Sequence, residues 1–175
     1  MLLRFCPECG AGIGAVAPVV CRACGAEHWR NAKPCAGGLV TRDGRLLLVR
    51  RAFEPWRGSW DIPGGFCDAD EHPEDAVVRE VREEVGLTVA VRGLVGIWMD
   101  TYGPPGPTVA VTLNCYYHVV PTTDDDPVVD PAESTEAAWF SPTAIPDDLA
   151  FPNHAGQVID AWRRSVSSGV ARSAS

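Results

Sequence analysis

At 175 residues and 46% hydrophobic, the chain can bury one good core plus a small satellite module. A formal net charge of −8 argues against a basic nucleic-acid surface, and no apolar run reaches the ~20 residues of a membrane span. Seven cysteines, two metal-spaced pairs among them, and an N-terminus without a signal-peptide pattern fit a reducing, cytoplasmic setting rather than a disulfide framework.

In chain order, Cys6 and Cys9 form one CxxC and Cys21 and Cys24 a second, eleven residues later. Gly10 and Gly25 follow the pairs and let the backbone turn beneath a metal-bound sulfur. Four thiolates at this spacing suit a closed, tetrahedral Zn²⁺ site of the structural kind, so residues 1–35 read as a zinc ribbon. Its four basic and two acidic residues would be neutralised by such a centre, which gives it no grip on nucleic acid. His28 and Cys35 stand nearby without being needed as ligands, and His28 to Pro34 reads as a polar linker.

Strands are expected over Ala36–Thr41 and Arg45–Arg51, with Asp43-Gly44 as their hairpin turn. Further strands are expected over Leu87–Arg92, Leu94–Tyr102, Thr108–Val120 and Ala137–Phe140. Loops are expected over Gly103–Pro107 and Pro121–Pro131. Val158, Ile159, Trp162 and Val166 give a last amphipathic helix beginning near Pro152-Asn153, and residues 167–175 read as a disordered tail. Strands interleaved with two helices imply an α/β layered domain over residues 36–166.

The most informative stretch is Gly65–Leu87, GFCDADEHPEDAVVREVREEVGL. Pro73 suits a first helical turn, Val77, Val81 and Val85 form one apolar face, and Gly86 caps the end. Glu80, Glu83 and Glu84 fall at i, i+3 and i+4 and converge on one face, where like charges destabilise a helix. Arg79 precedes Glu83 by four residues and can orient it. Converging carboxylates with open positions suit Mg²⁺ or Mn²⁺ bridging a phosphate, whereas a merely solvated acidic helix has no use for the convergence.

Gly65, Glu71, Arg79-Glu80-Val81, Glu83-Glu84 and Gly86-Leu87 fill every fixed position of a Nudix box, with Gly58-Ser59-Trp60 and Pro63-Gly64-Gly65 as lead-in. The chain thus resembles the Nudix hydrolase family. The resemblance implies a mixed β-sheet sandwiched between helices and hydrolysis of a diphosphate bond in a nucleoside diphosphate derivative, such as ADP-ribose, NAD(H) or a dinucleoside polyphosphate. It implies Glu83 and Glu84 as principal metal ligands, completed by the Gly65 carbonyl and Glu80. Glu80 is also the base candidate within the box, Arg79 the group holding Glu83, and Glu71 a supporting carboxylate. Many members take the base from a glutamate far downstream, for which Glu133 is first choice here and Glu136 second; either residue could instead be a solvated loop carboxylate. The family also admits a homodimer.

A ribbon ahead of the domain is similar to the arrangement of NADH pyrophosphatases, yet VAVRGLVGIWMDTYGPPGP stands where their SQPWPFP-like signature would be. Tyr102 lies near a tyrosine of diadenosine-polyphosphate hydrolases, and Pro104 and Pro105 near a proline of ADP-ribose hydrolases. Trp56, Trp60 and Tyr102, with Phe53 and Trp98, offer flat faces for a base or packing for the core. The alternative is a catalytically inactive, nucleotide-sensing Nudix-like domain whose ribbon docks a partner. The full set of box carboxylates favours the enzyme.

Overall fold

The computed structural model describes residues 2–103 and 109–167. Strands β1 (Leu2–Phe5) and β2 (Gly12–Val16) form one antiparallel hairpin, and β3 (Val19–Val20) and β4 (Glu27–His28) form another. A CxxC pair occupies each connection. Both turns have the same build: Gly10 N–H donates to Cys6 O at 2.9 Å and Gly25 N–H to Cys21 O at 2.8 Å. Both glycines have left-handed φ, 74° and 77°, a conformation that a Cβ disfavours. The linker expected from His28 to Pro34 is shorter than its sequence suggests. His28 is paired in β4, and Lys33 and Pro34 already belong to the next strand.

That strand, β5 (Lys33–Arg42), forms a hairpin with β6 (Arg45–Arg51), and β7 (Trp60–Asp61) and β8 (Gly64–Phe66) are short pieces beyond it. Then come α1 (Pro73–Val85), β9 (Val89–Tyr102), β10 (Ala110–Pro121), β11 (Ser134–Phe140) and α2 (Ala155–Ser167). The main sheet runs β11-β6-β5-β10-β9, with β7 on β6 and β8 on β5. It is mixed, because β10 and β5 are parallel while the other pairs are antiparallel. The two strands expected from Leu87 to Tyr102 are one, since the ladder to β10 continues past Gly93 through a register shift. The second helix starts three residues later than expected, after Phe151 takes a left-handed φ of 52°. Pro104, Pro105 and residues 168–175 lie outside the described residues.

Alternation along β5 and β6 divides the core. Val40, Leu47 and Val49 meet Val77, Val81 and Val85 of α1, whereas Leu39, Leu46 and Leu48 meet Val158, Ile159 and Trp162 of α2. Neighbouring strand residues point to opposite faces, so the sheet lies between the helices, as the sequence led us to expect. Among the described residues no helix is long and apolar enough to cross a membrane.

Candidate active site

Helix α1 is fixed at both ends. His72 Nδ1 accepts the Glu74 N–H at 3.2 Å, with Pro73 in the first turn, and Gly86 closes the helix with a φ of 70°. The buried valines set its roll and bring Glu80, Glu83 and Glu84 up beside β8. Glu80 packs so closely on Gly65 that a Cβ there would lie 2.6 Å from its carboxylate oxygens. The last helical carbonyls draw in a distant segment. Asp130 N–H donates to Glu84 O and Val128 N–H to Val85 O, both at 2.9 Å. Glu133 N–H then bonds Asp130 O, and Glu133 O accepts from Ala52 N–H. These bonds bring carboxylate oxygens of Glu80, Glu84 and Glu133 within 4.8 Å of one another.

Two carboxylates at that separation repel by about 3.5 kcal/mol at an effective dielectric of about 20. Burial pushes Glu84 well above the ordinary carboxyl range, and the charges of Asp61, Glu133 and Glu80 push it further. Burial raises Glu80 as well, with Arg79 opposing. Such an arrangement of hard oxygens fits a hard divalent cation.

All five guanidinium protons of Arg79 find acceptors. Nε and Nη2 grip Glu71 at 2.8 and 2.7 Å, Nη1 reaches Glu80 at 2.8 Å and Glu83 at 2.9 Å, and Nη2 also meets Phe66 O. Glu71, held by Arg79 and by Asp68 N–H, has its pKa lowered to about 2.

The carboxylates form one wall of a cavity of about 410 Å³. Aromatic rings line the same cavity: Tyr102 and Phe151 stack at 6.0 Å between centroids, and Phe66 meets Tyr102 edge-on at 5.5 Å. Arg51 lines the cavity between the Phe53 and Phe151 rings. It donates to Asp61 at 2.8 Å and to Pro55 O, while its buried Nη2 has no partner among the described residues. Next to the Phe151 ring, Asp100 Oδ2 accepts from His154 Nδ1 at 2.6 Å. His154 Nε2 lies 2.7 Å from the Tyr116 hydroxyl. The carboxylate only accepts, so Nδ1 carries a proton towards Asp100, and the Tyr116 hydroxyl pairs with Nε2.

In the N-terminal module the four cysteine sulfurs also lie within 4.8 Å of one another, with Cys6–Cys24 at 3.7 Å and Cys9–Cys21 at 3.8 Å. A tetrahedron with metal–sulfur bonds of about 2.3 Å has edges of about 3.8 Å, so the cage fits a metal of that kind. Backbone N–H groups of Cys24 and Ala23 lower the Cys21 pKa to about 7, towards the thiolate that ligation requires. His28 Nε2 lies 3.3 Å from Cys6 Sγ, beside the cage.

The family model of the NUDIX domain matches residues 32–161. The chain belongs to the Nudix family. Over 171 residues it is 34% identical to the NAD-capped RNA hydrolase NudC of Pseudomonas aeruginosa, covering 93% of this chain and 57% of that protein. Over 61 residues it is 41% identical to the ADP-ribose pyrophosphatase of Methanocaldococcus jannaschii, covering 35% of this chain and 36% of the relative. The chain therefore spans only 57% and 36% of the length of these two curated relatives. A solved NUDIX hydrolase from Nitrosomonas europaea superimposes with a TM-score of 0.76 at 25% identity, over 95% of this chain and 92% of that one.

Within this Nudix domain, the carboxylates read from the sequence divide into two groups. Glu80, Glu84 and Glu133 come together, while Glu83 is half exposed on Arg79. Glu136 lies outside the cluster, on β11, 55% exposed and 3.6 Å from Arg50. Of the stacking candidates Tyr102 and Phe53 line the cavity, and Trp98 does not. Trp60 is corrected to a core residue: its ring is buried against Phe140 and capped by Arg50. Trp56 is exposed, meets the edge of Phe151 at 6.5 Å and does not line the cavity. Phe66, Thr112, Asn114, Tyr116, Phe151 and His154 were not anticipated. The available signal was Thr112 and Asn114 alternating through the otherwise apolar first half of β10. Phe151 and His154 carried none, being more than sixty residues beyond the box.

Proposed function

We propose that this Nudix protein hydrolyses a diphosphate bond in a nucleoside diphosphate derivative, using Mg²⁺ or Mn²⁺. The observation that carries the reading is the convergence of Glu80, Glu84 and Glu133 on a cavity that aromatic rings also line. Relatives named for ADP-ribose and NAD support it, because both compounds contain adenosine diphosphate.

Glu80, Glu84 and Glu133, with the Gly65 carbonyl, would hold the cation. When bound, it neutralises diphosphate charge and lowers the pKa of a coordinated water. Glu133, delivered by the segment docked on the end of α1, accepts the proton of the attacking water at a carboxylate oxygen. Arg79 positions Glu80 and Glu83 through its bonds to both. The unpartnered Nη2 of Arg51 offers a donor to a phosphate oxygen, and Tyr102 and Phe151 offer the face on which the base stacks. The two N-terminal hairpins form a structural module around Zn²⁺ on Cys6, Cys9, Cys21 and Cys24, ending before Lys33 enters the main sheet, and the protein works in the cytoplasm.

The test is a hydrolysis panel with Mg²⁺ or Mn²⁺ over NADH, NAD⁺, ADP-ribose, diadenosine polyphosphates, FAD, CoA and nucleoside triphosphates. A dinucleotide or nucleotide-sugar favoured about a hundredfold in kcat/KM, with a nucleoside monophosphate released, is expected. Binding without turnover across the panel would overturn the reading in favour of a sensor.

A further inference from the structure

Thr112, Asn114 and Tyr116 alternate along β10 and share one face, and all three line the cavity with Tyr102 and Phe151. Burying polar side chains in a strand is unfavourable unless their hydrogen bonds are met. Thr112 is 4% exposed and Asn114 partly buried. Asn114 Nδ2 donates to Trp98 O at 3.1 Å and to Thr112 Oγ1 at 3.0 Å. A main-chain carbonyl only accepts, so the nitrogen of Asn114 must face Trp98, and both amide protons are used. Among the described residues, nothing meets two groups of this pair: Asn114 Oδ1 as an acceptor and the Thr112 hydroxyl proton as a donor. The Trp98 carbonyl locks their order.

We infer that Thr112 and Asn114 read the base of the substrate and select adenine over a 6-oxo purine. This rests on the reading of the cavity as a nucleoside diphosphate site. Adenine presents an exocyclic amine beside a ring-nitrogen acceptor, which complements an amide oxygen beside a hydroxyl donor. Hypoxanthine and guanine present the reverse, a carbonyl oxygen beside a ring N–H, and would leave both protein groups facing like groups. The Tyr102–Phe151 pair supplies stacking but treats the two purines alike, so discrimination falls to the polar pair.

Steady-state kcat/KM of the full chain for ADP-ribose and for inosine diphosphate ribose tests this, since the two differ only at that edge. The adenine compound should be favoured about a hundredfold. Thr112→Val, which keeps the shape and removes the donor, should lower kcat/KM for ADP-ribose about tenfold and shrink the ratio between the two compounds. A purely structural role for Thr112 would lower both alike and leave the ratio unchanged, which overturns the inference. Equal rates for the two compounds in the unaltered protein also overturn it, and leave the diphosphate reading standing. Failure to cleave any compound of the wider panel removes that reading and this inference with it.

Discussion

Replacing Glu84 by glutamine separates the two consequences of its buried carboxylate. The side chain has carboxylate oxygens of Glu80 and Glu133 within 4.8 Å and feels Asp61 besides, while its one bonded donor is the Gly64 N–H at 3.3 Å. Glutamine keeps an acceptor for Gly64 and removes the charge. Each like pair costs about 3.5 kcal/mol at an effective dielectric of about 20, but Arg79 offsets the Glu80 charge and protonation of Glu84 limits the strain. A net gain of about 2 kcal/mol in Mg²⁺-free protein at pH 8 follows, or roughly 4–8 °C in the unfolding midpoint for a chain of this size. An acid whose folded pKa is raised contributes stability below its ordinary value of 4.5 and loses it as pH rises through the folded pKa. The gap between variant and parent should therefore close near pH 4.5 and open as pH rises. Turnover should fall about a thousandfold in the variant, and Mg²⁺ should stabilise only the parent. Scanning calorimetry in Mg²⁺-free buffer from pH 4.5 to 8 reads the effect. Coincident midpoints at pH 8, or a less stable variant, would refute the electrostatic reasoning.

Other residues give separate tests. Glu133→Gln should lower kcat at least about a hundredfold, whereas Glu136→Gln, on the exposed strand, should stay within about twofold; initial rates with ADP-ribose decide between them. Tyr116→Phe keeps the ring and leaves His154 Nε2 buried without a partner, at a cost of about 2 kcal/mol read as a lower urea midpoint with unchanged slope. Cys21→Ser should abolish zinc content, measured by mass spectrometry, before it alters turnover; undiminished zinc would sink the four-cysteine assignment.

The parts of the fold and site that were legible in the sequence are those where local pattern and local structure coincide. The valine spacing, Pro73 and Gly86 define α1 because a helix reads its own periodicity and ends. Asp43-Gly44 marks its hairpin for the same reason. The cysteine pairs and their glycines define two matching turns. Glu133 could be nominated but not separated from Glu136, because the choice depends on bonds from Val128 and Asp130 to the end of α1. Trp60 was misplaced because an aromatic beside a functional loop looks the same whether its ring faces Phe140 or a ligand. The aromatic and polar lining of the cavity comes from β8, β9, β10 and the segment before α2, and no periodicity within one segment reports an assembly of four.

The most direct test of the central claim is a crystal structure of the chain soaked in Mn²⁺, with anomalous density used to locate the ion. A peak among Glu80, Glu84 and Glu133 is predicted, and it should disappear in Glu84→Gln. A peak confined to other residues, or none there at millimolar Mn²⁺, would contradict the account.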